Sequence, residues 1–299
     1  MSLVINHNMM AANAARNLSN SYGALATSTQ RLSSGLRINT AADDAAGLAI
    51  RELMRSDITA INQGVRNAND AISMIQTADG ALQVIDEKLI RMKELAEQAS
   101  TGTYTSDQRL IIDSEYQAMA SEITRIANAT DFNGIYLLNG NLSGSTHDGS
   151  ASVSTGKMKV HFGSGNESSE DYYYVQIGTS TASAFGLGIG AASSTDNAGR
   201  SISTQEMAQL ALDAIKDAIV SKDKIRANLG ALQNRLENTI SNLQIQAENL
   251  QAAESQISDV DVATEMTQFV RNQILTQSAV AMLSQANSMP KMAMQLIGG

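Results

Sequence analysis

The sequence predicts a mainly α protein: a long antiparallel coiled-coil helical bundle formed by its N- and C-terminal segments, with a small central β-hairpin element. Three observations lead there. Apolar residues recur every seven positions in two long stretches, one in each half of the chain. Proline is absent until Pro290, and 12 of the 21 glycines fall between Gly134 and Gly199, so breaks concentrate in the middle. The 299 residues include no tryptophan, no cysteine and only four phenylalanines, which suits thin helix packing better than one thick core.

Taken in order, the first fifty residues are thin in apolar content, with Met9, Leu18, Tyr22, Leu25 and Leu32 set among Ala, Asn and Ser. Such a face does not offset the ordering entropy of an isolated helix, so both termini are expected to be mobile in a single chain and helical after packing on neighbours. From Met54 the series Ile61, Ala68, Ile75, Leu82, Leu89, Ala96 is apolar throughout, with Ala71, Ala78, Ile85, Met92 and Ala99 as its companions. A helix over about 56–100 follows, roughly 65–70 Å long at ~1.5 Å per residue. Thr105 with Gln108 reads as a capping box opening a second helix, with Leu110, Ile111, Met119, Ile123 and Ile126 on its apolar side.

Asn133-Gly134 beside Ile135-Tyr136 is a tight-hairpin signal, because both residues tolerate positive φ. Lys157–Phe162 and Tyr172–Ile177 read as two strands joined by a Gly/Ser/Glu loop. Ser203 with Glu206 marks a further helix start, leading to a second seam at Leu229, Leu236, Leu243, Leu250 and Ile257, flanked by Ile225, Leu232, Ala253 and Val260. Thr239 and Gln246 place polar groups in that seam, where they fix register at a cost in stability. Met266, Val270, Ile274, Met282 and Leu283 carry an apolar face almost to Pro290.

A net charge of −9 with no basic stripe argues against nucleic acid and against an anionic membrane as partners. No apolar run reaches the roughly 20 residues of a membrane-spanning helix, and the first residues lack the pattern of a cleaved signal peptide. His7, His147 and His161 stand apart from one another and from any metal-ligand spacing, so they read as surface or strand residues. Gly186-Leu-Gly188-Ile-Gly190 lacks the spacing of a phosphate loop and reads as a linker. Asp43-Asp44 and Asp259-Val-Asp261 lack a calcium loop and read as turn or helix-start carboxylates. No nucleophile, base and acid stand together, so neither enzyme activity nor a cofactor is expected.

Arg31-Leu-Ser-Ser-Gly-Leu-Arg-Ile-Asn39, followed by Asp43-Asp-Ala-Ala-Gly-Leu-Ala-Ile50, closely resembles the N-terminal signature of bacterial flagellins. Arg66-Asn-Ala-Asn-Asp70, Leu229-Gly-Ala-Leu-Gln-Asn-Arg235, Ala263-Thr-Glu-Met266 and Gln285-Ala-Asn287 reinforce the likeness, which spans roughly 1–140 and 200–299. The resemblance implies a structural subunit that self-assembles into the helical flagellar filament used in motility, or alternatively a hook–filament junction protein. It implies an inner terminal-helix domain of 1–45 with 258–299 and a rod domain of 46–257, with a short variable region at about 134–200 and no large outer domain.

The implied location is extracellular, in the flagellar filament, reached through the flagellum's own export apparatus. Implied partners are further copies of the chain, an export chaperone on the face of Met266, Val270, Ile274 and Leu283, and hook-associated junction and cap proteins. A host flagellin-sensing toll-like receptor would meet Arg91, Leu95 and Glu115. Subunits of the family also switch between two packings to supercoil the filament, and Thr239 and Gln246 are candidates for keeping two registers close in energy.

Overall fold

The computed structural model describes residues 8–148, 155–168, 170–187 and 200–297. His7, Gly188 and Gly190 lie outside them. Five helices account for most of the chain: α1 (Met9–Ser34), α2 (Ala45–Ser100), α3 (Ser106–Ala129), α4 (Gln205–Ser258) and α5 (Val262–Ile297). Six short strands lie between α3 and α4: β1 (Asp131–Phe132), β2 (Ile135–Tyr136), β3 (His147–Asp148), β4 (Thr155–Gly156), β5 (Met158–His161) and β6 (Tyr172–Val175). They form three antiparallel pairs, β1–β2, β3–β4 and β5–β6. Two compact units result, 1–58 with 248–299 and 59–247.

Local chemistry sets the helix ends. α2 starts well before the expected residue 56, because the Asp44 carboxylate accepts from Gly47 N at 2.8 Å and its carbonyl from Leu48 N at 3.0 Å. Thr105 and Gln108 make the expected reciprocal capping box on α3. The cap of α4 is Thr204, one residue beyond the expected Ser203. Its hydroxyl accepts from Met207 N at 3.3 Å and its carbonyl from Ala208 N at 2.9 Å. Asp261 opens α5, accepting from Ala263 N, Thr264 N and the Thr264 hydroxyl, and these donors hold its carboxyl below the usual range. Asp43 is held down in the same way by the Thr40 N–H and hydroxyl and by Asn39 N–H.

In the second unit, α2, α3 and α4 close on one core with Met74, Ile75, Leu82, Ile85, Leu89, Met92, Tyr116, Ile123, Leu137 and Leu138 fully buried. Two ion pairs set the antiparallel register of α2 and α4: Asp79 with Arg226 at 2.7 Å and Asp86 with Lys222 at 2.6 Å. From the first pair to the second, the position advances along α2 from Asp79 to Asp86 and retreats along α4 from Arg226 to Lys222. The Arg226 guanidinium holds the Asp79 carboxyl below the usual range. Burial alone would push the Lys222 ammonium down, but the carboxylates of Asp223 and Asp86 outweigh it and raise it.

α3 buries Tyr116, Ala120, Ile123 and Ala127, with Met119 and Ile126 beside them. Leu110 and Ile111, expected on that face, point to solvent because they fall off the stripe that runs down the helix at spacings of three and four.

The β1–β2 turn has Asn133 at φ 53° and Gly134 at φ 81°, as the Asn-Gly pair requires. β5 and β6 pair with His161 opposite Tyr172 and Met158 opposite Val175, so Val160, Tyr173 and Phe162 turn inward. Tyr173 packs edge-on to Phe162 and under the Arg235 guanidinium, 3.6 Å from the ring centre. The hairpin seats on α2 where Gly64 leaves room: a Cβ there would lie 1.9 Å from the Phe162 carbonyl oxygen. The Asn67 amide donates to the His161 carbonyl at 2.9 Å beside it. The β3–β4 pair was not anticipated from the sequence, since two residues per strand leave no period to read.

Candidate assembly surface

α1 and α5 pair antiparallel in the first unit. On α1 the least exposed positions are Ala11, Ala14, Leu18, Ser21, Leu25, Ser28 and Leu32. On α5 they include Glu265, Phe269, Asn272, Thr276, Ala279, Leu283 and Ala286. Both series alternate steps of three and four, the spacing of a coiled-coil seam, but they are built largely of small and polar residues. Near one end the Arg31 guanidinium stands 3.6 Å from the buried Glu265 carboxylate. Near the other, Asn8 does two tasks: its side-chain oxygen accepts from Ala11 N at 3.1 Å, capping α1, and its amide donates to the Ala286 carbonyl at 2.8 Å. Pro290 has no N–H, so the intrahelical bond to the carbonyl four residues earlier is missing, and Asn8 supplies the donor.

The connectors beside these helices are stitched together. Arg37 N donates to the Ser258 carbonyl and Val260 N to the Gly35 carbonyl, while the Arg37 side chain caps α4 at the Ile257 carbonyl, 2.8 Å away. Gly35 sits at φ 73° to end α1.

With the seam turned inward, the rest of α5 presents apolar residues to solvent. Met266, Val270 and Ile274 are exposed, as are Val262, Leu275 and Val280, whereas Leu283 is half-buried in the seam. Exposed apolar residues of this kind leave water only by association. No helix among the described residues is long and apolar enough to cross a membrane.

The other residues singled out in the sequence fall as follows. Ile61, Ile75, Leu82, Leu89, Leu229, Leu236 and Leu243 are buried; Leu250 and Ile257 are half-buried. Thr239 lies 3.4 Å from the Tyr173 hydroxyl, and Gln246 is exposed. Arg91 forks to Glu115 at 2.8 Å and Glu94 at 2.9 Å, and Glu115 chiefly raises its affinity for the proton. Leu95, between them in sequence, is 1% exposed and belongs to the core, so a molecule approaching this surface meets Arg91 and Glu115 but not Leu95. His147 contacts the Lys157 carbonyl through Nδ1, and His161 stacks against Tyr172. Among the described residues no three His, Cys, Asp or Glu side chains group as metal ligands.

Residues 5–143 match the bacterial flagellin N-terminal helical region, and residues 212–297 match the bacterial flagellin C-terminal helical region. The chain belongs to the bacterial flagellin family. The flagellin of Halalkalibacterium halodurans is 42% identical over 295 residues, covering 99% of this chain and all of that one. The flagellar filament 33 kDa core protein of Treponema phagedenis is 41% identical over the same coverage. A putative flagellar hook-associated protein from Vibrio parahaemolyticus superposes with a TM-score of 0.54 over 73% of this chain and all of its own, at 16% identity, which shows a common fold alone. As a family member the chain is a structural protein, a subunit that self-assembles into the flagellar filament.

Proposed function

We propose that α1 and α5, in an inner layer of about 1–45 with 258–299, carry the contact through which one subunit binds the next, while residues 46–257 form a rod around it. The single observation that supports this is the apolar outer face of α5, where Met266, Val270 and Ile274 stay in water although the α1–α5 seam is already closed. Removing that face from water is worth roughly 25 cal/mol per Å², and contacts that repeat without closing build a helical filament. Before assembly the same face needs covering during export, which is the task of an export chaperone. Junction and cap proteins would meet the surface exposed at the filament's ends, outside the cell. Replacing Ile274 with Glu puts a charge into the contact. Seeded elongation followed by electron microscopy is expected to fail, with the thermal unfolding of the isolated chain unchanged. Normal filaments from Ile274→Glu would refute the reading.

A host receptor reading rests on the Arg91–Glu115 pair alone, because Leu95 is buried. In a reporter-cell assay on unassembled chain, Arg91→Ala and Glu115→Ala are each expected to lower signalling. A silent unaltered chain would end this reading.

A further inference from the structure

The methionines differ in exposure between the two units, although Met54 and Met289 of the first unit are half-buried. In the second unit Met74 and Met92 are 0% exposed, and Met119, Met158 and Met207 are buried or half-buried. Among the described residues, the five that stand well out in solvent lie on α1 or α5: Met9 at 64%, Met10 at 47%, Met266 at 45%, Met282 at 61% and Met292 at 49%. On α5, Met266 follows the seam residue Glu265 and Met282 precedes Leu283, so they flank the seam on its two sides, Met266 beside Val262 and Val270.

A thioether suits a face that must pack on a neighbouring copy, because its unbranched chain adapts to irregular gaps. The same sulfur makes the unassembled chain sensitive to oxidants. We propose that Met9, Met10, Met266, Met282 and Met292 form an oxidation site through which peroxide switches off assembly, and that neighbouring copies shield it once the filament has formed. This rests on the reading that the outer faces of α1 and α5 become the subunit contact.

The oxidant is hydrogen peroxide. The sulfur lone pair attacks one peroxide oxygen, the O–O bond breaks and an S–O bond forms, and water leaves after proton transfer. Sulfur is oxidised by two electrons and peroxide is reduced by two. The product is a polar sulfoxide with a strong acceptor and no donor opposite it in an apolar contact. Sulfoxide reductases reverse the change, so the block is recoverable.

The test treats the unassembled full-length chain with dilute hydrogen peroxide, maps sulfoxides by peptide mass spectrometry, and measures elongation from filament seeds. Oxidation is expected at the five exposed methionines before Met74 and Met92, with elongation slowed by about tenfold or more, the factor that follows from burying a single unpartnered sulfoxide. Methionine sulfoxide reductases should restore the rate. A variant with all five changed to Leu should elongate equally with and without peroxide, and preformed filaments should take up oxygen at these positions more slowly than free chain. Elongation at the untreated rate despite sulfoxide at the five positions overturns the proposal, as does a Leu variant that elongates but remains sensitive to peroxide. Normal filaments from Ile274→Glu would instead refute the subunit-contact reading beneath it.

Discussion

At the residue scale, Asn8 shows how one side chain joins the two ends of a sequence. Its oxygen caps α1, and its amide fills the carbonyl that Pro290 leaves unbonded in α5. Asn8→Asp keeps the cap but replaces the donor to Ala286 with an acceptor, which should cost about 1–2 kcal/mol of stability in the first unit. Pro290→Ala returns an N–H to the Ala286 carbonyl, so the same Asn8→Asp change should then cost little. A double-mutant cycle on the opening of α1 and α5 in the polymerised chain, followed by site-resolved amide exchange, reads this as a coupling of about 1 kcal/mol. Equal losses in the two backgrounds would show that Asn8 acts as a cap only. Pro290 is legible in the sequence but its partner, 282 positions away, is not, because nothing local in either segment records the contact.

At the scale of elements, glycines inside the long helices separate by what stands opposite them. Gly64 faces the Phe162 carbonyl, whereas Gly80 and Gly230 have no atom within 4 Å of where a Cβ would be. Ala in place of an exposed helical Gly normally stabilises by about 1 kcal/mol. Gly80→Ala and Gly230→Ala should therefore raise the urea midpoint of the isolated chain. Gly64→Ala should lower it, with a loss of about 1–3 kcal/mol of stability, because the β5–β6 hairpin must lift off α2. A stabilised Gly64→Ala chain would mean the hairpin is not seated there.

The two seams of the long helices were legible because Leu and Ile recur at seven over many turns, and the Asn-Gly turn and the Thr105 cap were legible because each needs specific residues. Three features were not. The early start of α2 depends on one Asp44 cap, Leu110 and Ile111 near the start of α3 fall off its buried stripe, and the α1–α5 seam spaces its few leucines among Ala and Ser that do not stand out from a polar background. Leu95 was hidden for a different reason: it lies outside both seven-residue series of α2, between Arg91 and Glu97, yet it is 1% exposed and joins the core.

For the whole molecule, the two units differ in what holds them. The second is tied by a continuous core of Ile, Leu and Met reaching from α2 through α3 to α4, reinforced by ion pairs that link α2 to α4. In the first, Leu18, Leu25 and Leu32 of α1 and Phe269 and Leu283 of α5 alternate with Ala11, Ala14, Ser21, Ser28, Asn272, Thr276 and Ala279, and among the described residues one loose ion pair links the two helices, so less apolar area leaves water per turn than in the second unit. Ordering the two helices costs as much backbone entropy per residue as ordering the core helices, and much less burial offsets it. The balance should favour opening in the unassembled chain and closing once a neighbouring copy covers the outer face. Amide hydrogen exchange on dilute chain should therefore be at least about 100-fold faster at Leu18–Ser28 than at Met74–Leu89, and should slow at the first segment on polymerisation. Strong protection of Leu18–Ser28 in the dilute chain would mean that the seam alone suffices. The apolar face of α5 would then act as a docking surface on a preformed pair, and folding would not be coupled to assembly.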